Sequence, residues 1–328
     1  VSSVARLNDM TVDRPHSEAR AGMSVVIATR DRGAAVIGAV EGLLASGQSE
    51  LEINIVDQSR DDTTLQAIKH HLRSPTVNYI ASRSRGLGAA RNVGIEHSSS
   101  EFIAFTDDDC RVSSSWLREL RLAFEVDGRI GIVFGNVVAA AHDSGRYFVP
   151  AYERRGEVLA TSLADKHKVE GIGACMALRR SVWSSLGGFD PMLGTGGRFR
   201  SAEELDFVLR ALGSGHAVYE TDRAEVVHYG FRELPEKSRL AYDYCFGIGA
   251  AYAKHVKCGH WRVLQALVPL AIRWALGAPV VSYGTPPPRW VRLKGFCDGA
   301  VAGIGTPVQH RAVLYKPLPA PGCTEVSD

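Results

Sequence analysis

The chain has 328 residues, 45% of them hydrophobic and 23% charged, with a net charge of +2. That is enough apolar material for one large or two smaller domains, and the near-neutral balance argues against bulk electrostatic capture of nucleic acid. Six scattered cysteines (Cys110, Cys175, Cys245, Cys258, Cys297, Cys323) form no CxxC pair, which argues against a zinc site or disulfide framework and suits a reducing cytosol.

Residues 1–22 are polar and mixed in charge; they read as a tail without the features of a secretory leader. From Met23 strand and helix alternate. MSVVIAT (23–29) is a short apolar strand, and residues 34–45 read as a helix with Val36, Val40, Leu43 and Leu44 on one face. LEINIVD (51–57) is a second strand ending in an acid. Thr63 with Gln66 fits a capping box opening a helix through Leu72. VNYIA (77–81) is the third strand, and residues 86–97 form a glycine-led helix. Stacked units of this kind predict a mostly parallel sheet, with ligands outside the carboxyl ends of its strands.

The next strand is EFIAFTDDDC (101–110). Its nearly continuous apolar run predicts burial on both faces. It ends in Asp107, Asp108 and Asp109, three adjacent charges that need a compensating cation or donors. A divalent metal with oxygen ligands would serve; a solvated acidic turn is the alternative. Before it lies SRSRGLGAARNVGI (82–95), which sets Arg83, Arg85 and Arg91 among glycines at a helix N-terminus. Backbone N–H groups and guanidinium forks suit a diphosphate there, although the spacing is neither a Walker loop nor GxGxxG. A solvated basic hinge is the alternative.

Past the aspartates, residues 116–124 read as an amphipathic helix and 131–141 as a strand. Residues 142–168 are polar and read as a flap or acceptor-side insertion. Residues 169–215 hold a glycine-laced strand, a short helix at 182–186, a loop with five glycines and a helix with Leu205, Val208, Leu209 and Leu212 on one face. Glu203, Glu204 and Asp206 cluster in its first turn, where Ser201 and Glu204 also fit a capping box. His228 ends a short strand in AEVVHYGFR, either packed or completing a metal shell.

In this order, SVVIATRDR, IVDQSRDDT, RGLGAARNVGI, FTDDDC, GGFDPMLGTGG with AEELDFVLRAL, and VVHYG resemble the family 2 glycosyltransferases of GT-A fold. The likeness runs from about Met23 to Arg232. It implies a GT-A α/β domain over 23–232, with a nucleotide half at about 23–110 and an acceptor half at about 111–232. It further implies an inverting, metal-dependent hexosyltransferase-type enzyme using Mg²⁺ or Mn²⁺. The donor would be a nucleoside-diphosphate sugar, a UDP-sugar in the first instance, and the acceptor a sugar, lipid or small molecule. By position Thr29, Arg30 and Asp57 would hold base and ribose, with Arg85, Arg91 and Asn92 near the nucleotide. Asp107 would face the ribose, Asp108 would lie between, and Asp109 would bind the metal with Asp107 and His228. The family's acceptor-side pair is usually Glu-Asp; here it is Glu203-Glu204, so Glu204 would be the base, with Asp206 as alternative. A base opposite the leaving group implies inversion. A sugar-nucleotide pyrophosphorylase would carry a glycine-rich loop where ATRDR stands, and a non-catalytic nucleotide-sugar or glycan-binding module would not need acids at both positions.

Residues 233–328 read as a helical extension and tail. The stretch 261–283 is the most apolar, but Pro269, Arg273 and Pro279 interrupt it, which disfavours a bilayer span. Trp261, Trp274 and Trp290 with Arg262, Arg273, Arg289 and Arg292 suit helices lying in a membrane interface over 261–292. Packing on the catalytic domain or a dimer contact is the alternative. The expected location is the cytoplasm, with a peripheral place on the inner face of the membrane. Pro286 to Pro288 and the tail after Lys316 read as extended.

Overall fold

The computed structural model describes residues 20–48, 50–275 and 288–316. The first half alternates as expected: β1 (Arg20–Thr29), α1 (Ile37–Ala45), β2 (Leu51–Asp57), α2 (Thr63–Ile68), β3 (Val77–Ala81), α3 (Leu87–His97) and β4 (Ser100–Asp107). Then come β5 (Cys110–Val112), α4 (Trp116–Ala123), β6 (Ile130–Ala139), β7 (Tyr147–Phe148), β8 (Val158–Ala160), β9 (Met176–Arg179), α5 (Arg180–Leu186), α6 (Glu203–Gly213), β10 (Ala217–His228) and β11 (Arg232–Glu233). The C-terminal part holds α7 (Lys237–Lys257), α8 (Leu264–Ala275), α9 (Arg289–Gly305) and a small hairpin, β12 (Val308–Gln309) with β13 (Leu314–Tyr315).

One sheet organises the molecule, in the order β3-β2-β1-β4-β9-β6-β10-β5, with β8 on β10. Six of its nine strands run the same way; only β5, β8 and β9 oppose them. The apolar runs arise because both faces are covered. Val26, Val56, Ile103 and Phe105 point into one hydrophobic cluster. Their neighbours Val25, Ile27, Ile53, Ile55 and Ala104 point into the other, the two-residue alternation of a strand serving two cores. Register then aligns the strand ends. Thr29 lies opposite Asp57, Ala28 opposite Asp107, and Asp57 opposite Ala81.

Residues 142–168 are more ordered than a flap. They contain β7 paired with β11, β8 paired with β10, and a 3-10 turn over Leu163–Lys168. The capping box at Thr63 is not formed: Asp62 is the N-cap, and Gln66 donates to the Asp62 carboxylate at 3.1 Å. At the far end α7 joins the first cluster through Ile248, Ala250, Ala251 and Tyr252. It crosses α9 at backbone contact, since a Cβ on Gly249 would lie 2.0 Å from the Phe296 carbonyl oxygen and one on Gly299 1.9 Å from that of Phe246.

Candidate active site

The acid triplet sits at the turn between β4 and β5, and each member has a different environment. Asp108 is buried and accepts from the Thr29 hydroxyl at 2.7 Å and from the Arg32 guanidinium. Arg32 also reaches Asp109 at 2.7 Å. Sequence reasoning passed over Arg32, although three adjacent carboxylates demanded a cation nearby. Burial tends to lower the Arg32 pKa, but Asp108 and Asp109 outweigh it and raise it. Burial, with Asp109 adjacent, pushes the Asp107 carboxyl up; burial also raises Asp108, against the pull of Arg32. Burial works in the same direction on Asp109, yet the hydrogen bond and charge of His228, followed by Arg32, hold it well below the usual carboxylate range.

His228 closes this group from β10, its Nε2 3.2 Å from Asp109 Oδ1. Its Nδ1 lies 2.8 Å from the Pro150 carbonyl oxygen. An Nδ1–H donated there leaves Nε2 as the nitrogen facing Asp109. Burial would lower the imidazole pKa, but Asp109 and Asp107 raise it. Gly230 permits the approach, because a Cβ there would stand 2.3 Å from His228 Nε2 and 3.1 Å from Asp109 Oδ2.

The donor chemistry fits a divalent cation. Asp109 and His228 bring carboxylate oxygen and imidazole nitrogen together, and their ligand atoms group with Cys110 Sγ within 4.8 Å. Burial raises the Cys110 thiol far above its ordinary pKa, so it stays neutral and a poor ligand for a hard cation. Asp107 adds charge beside the pair.

The other expected donor-side residues divide. Asp57 is buried at the end of β2, accepting from Ser59 N at 2.8 Å and Tyr79 OH at 2.9 Å. Arg30 lies 3.4 Å from Asp31 and borders the glycine loop at Gly196. Arg85 is exposed. Asn92 spends its amide on protein partners. Its Oδ1 accepts from Trp183 Nε1 and Phe189 N, and its Nδ2 donates to the Phe189 carbonyl. It ties α3 to the Gly-Gly-Phe-Asp loop, so a donor-binding role is set aside.

Arg91 is buried and bridges to the start of α6, its Nη1 3.1 Å from Glu203 Oε1. Its guanidinium also lies 5.5 Å from the Phe105 ring centre and 5.6 Å from that of Phe189. Arg91, Asp107, Glu203 and Glu204 line one cavity of about 230 Å³. Burial and the Glu204 carboxyl push the Glu203 pKa up to about 8, against the opposing pull of Arg91. Glu204 is half-buried, with a face on the cavity. No side-chain cap opens α6; Ser201 donates instead to the backbone carbonyls of Asp243 and Tyr244. Arg200 and Ala202, just before α6, adopt φ of +69° and +72°, left-handed values that cost non-glycine residues and cluster at functional sites.

Asp206 is ruled out as a base by its surroundings. It is fully buried and meets Lys254 Nζ at 2.8 Å, Arg210 Nε at 3.0 Å and His255 Nε2 at 3.1 Å. Burial alone would raise its pKa, but Lys254 and Arg210 drive it far down. Lys254 also binds Asp190 at 2.6 Å, and Asp190 accepts from Tyr315 N. The network fastens α6, α7, the Asp190 loop and β13 together.

A mostly parallel, helix-flanked sheet with acids, arginine and histidine at its strand ends defines a GT-A-like α/β protein. The chain belongs to glycosyl transferase family 2, whose model matches residues 24–187. An uncharacterized protein of Mycobacterium tuberculosis is 29% identical over 155 residues, which cover 47% of this chain and 56% of the relative. An uncharacterized glycosyltransferase of Haemophilus influenzae is 21% identical over 190 residues, 58% of this chain and 62% of that one. The chain thus spans little more than half the length of these relatives. Residues 1–349 of S. aureus TarS share the fold at a TM-score of 0.53 and 16% identity, over 75% of this chain and 70% of that one.

Proposed function

We propose that the protein transfers a sugar from a nucleoside-diphosphate sugar, a UDP-sugar in the first instance, to an acceptor hydroxyl with inversion. The observation that carries this reading is that Asp107 and Glu204 line one cavity. It brings Asp107, the first member of the acid triplet, and a carboxylate from α6 to one space. The acceptor oxygen would attack the anomeric carbon while its proton passes to Glu204, and the bond to the diphosphate would break with the electron pair leaving on the diphosphate. A divalent Mg²⁺ or Mn²⁺, held by Asp109 and His228 with Asp107 nearby, would supply charge neutralisation for the diphosphate. Thr29, Arg30 and Asp57, at or beside the adjoining strand ends, would hold the nucleoside, and the exposed Arg85 would reach phosphate. Arg91 would orient the Glu203-Glu204 pair.

The test is metal-dependent transfer or hydrolysis with a panel of UDP-, GDP- and dTDP-sugars. Glu204→Gln should lower transfer by roughly 10²- to 10⁴-fold with nucleotide binding retained. Full activity of that variant would remove Glu204 as the base.

Contact with a lipid surface fits the C-terminal helices in part. Among the described residues no helix is long and apolar enough to cross a membrane. Trp290, Leu293, Val301 and Ile304 form an exposed stripe on α9, flanked by exposed Arg289 and Lys294, which suits an anionic surface. Three expected members face inward instead: Trp274 packs on Phe296, Arg292 is buried, and Arg273 pairs with Glu170. Pro279 and Pro286 to Pro288 fall wholly or mainly outside the described residues. Flotation with liposomes containing anionic lipid should be lost in Trp290→Glu; flotation unchanged by it would remove this contact.

A further inference from the structure

The cavity beside Glu204 has a second wall that the transfer chemistry does not use. Val208 of α6, Ile248 and Tyr252 of α7, and Ala266 and Leu270 of α8 line it. Its charged groups on this side already have protein partners. Lys166 donates to the Val169 carbonyl at 2.7 Å, and Arg273 binds the Glu170 carboxylate, Nη2 to Oε2 at 3.2 Å. The Glu170 segment is itself anchored, since Glu220 accepts from the backbone N–H groups of Glu170 and Gly171. What remains to a ligand on this wall is mainly apolar surface, with the Tyr252 ring and its hydroxyl among it, in the same cavity as the carboxylate that would take the acceptor proton.

A wall of this kind rejects a fully hydrated acceptor, because water leaving it is not replaced by hydrogen bonds, and it favours an aliphatic group. The helix supplying Ala266 and Leu270 also shows apolar residues outward. Leu264, Val268 and Ile272 are exposed on α8, with Trp261 just before it. One helix therefore offers apolar contact both inside the cavity and at the surface around it.

We infer that the acceptor is an alcohol carrying an aliphatic chain, its hydroxyl at Glu204 and its chain against Ile248, Ala266 and Leu270. This deepens the proposed transfer reaction and rests on it. The experiment uses n-alkanols as minimal acceptors, a hydroxyl on a bare chain, titrated by calorimetry or ligand-observed NMR in the presence of UDP and Mn²⁺. Affinity should rise roughly tenfold for each two methylenes added from hexanol to decanol. Ala266→Trp should abolish that gain by filling the cavity, and Leu270→Asn, a smaller disturbance, should weaken it. Val268→Glu, on the outer face, should leave it unchanged. UDP binding should be equal in all four proteins, which shows that the variants fold. Absence of chain-length dependence, or dependence that survives both cavity substitutions, would overturn the aliphatic acceptor. Failure of the unaltered protein to bind UDP would instead count against the donor reading.

Discussion

The two sides of the candidate site are built by different means. On the acid-triplet side, the side chains come from the ends of adjacent strands whose register is set by backbone pairing: Thr29 opposite Asp57, and Ala28 opposite Asp107. Once the sheet forms, those positions follow. On the Glu204 side no sheet edge does this work. Glu204 is the second residue of a helix preceded by the left-handed Arg200 and Ala202, and that helix is held by Lys254 and His255 from α7. The cavity wall beyond it is closed by an ion pair between Arg273 and Glu170. A site half fixed by backbone register and half by buried side-chain charge should respond unequally to point substitutions.

The largest effect is expected where chemistry is removed on the register-fixed side. Asp109→Asn keeps the shape of the turn but removes the charge that His228 and Arg32 both address. Transfer should fall by about two orders of magnitude or more, and Mn²⁺ affinity measured by titration should fall with it. The melting temperature should stay close to that of the unaltered protein. A large drop in stability with unchanged metal affinity would mean that the triplet is a structural turn after all.

The converse is expected on the network-fixed side. Lys254→Met leaves Asp190 and Asp206 facing each other across a buried space with one cation fewer. Removing one member of such a buried charge group costs about 3–5 kcal/mol, readable as a shift in the urea midpoint. Because α6 hangs on this network, transfer should fall while Mn²⁺ binding at Asp109 and His228 persists in the protein that remains folded. If metal binding were lost in proportion, the two sides would be one cooperative unit and the contrast between them would fail.

The same contrast explains what could be read from the chain alone. The parallel half was legible because each strand is a short apolar run and two of them end in acids, as in IVD and FTDDD. The α6 side was legible only as far as residue type. Glu204 stood out by its place in a helix, but nothing within a few positions of Asp206 announced Lys254 and His255, which arrive from nearly fifty residues away. Asn92 misled for a related reason. An asparagine beside a phosphate-suited loop looks like a ligand contact until its partners, Trp183 and Phe189, come into reach from about ninety residues on. Arg32 was missed although it sat in the right segment, because its role depends on which strand end lies across from it. Long-range side-chain pairing leaves no periodicity to read.

The smallest predicted effect isolates Glu203, where the two sides touch through Arg91. Its carboxyl is buried and raised to about 8 by desolvation and by Glu204. The unfolded chain releases that proton near the ordinary glutamate value, about 4.3. Between those pH values the folded protein holds a proton that the unfolded chain does not, so stability declines as pH rises through the interval. Glu203→Gln removes the titration while keeping a group that can face Arg91. The two proteins should differ in melting temperature by a nearly constant amount at or below about pH 4. The glutamine variant should then gain relative to the unaltered protein up to about pH 8, where the difference levels off. A gap that does not change over this range would show that Glu203 is ionised in the folded protein. Arg91 would then neutralise it directly, and Glu203 would compete with Glu204 for the part of proton acceptor.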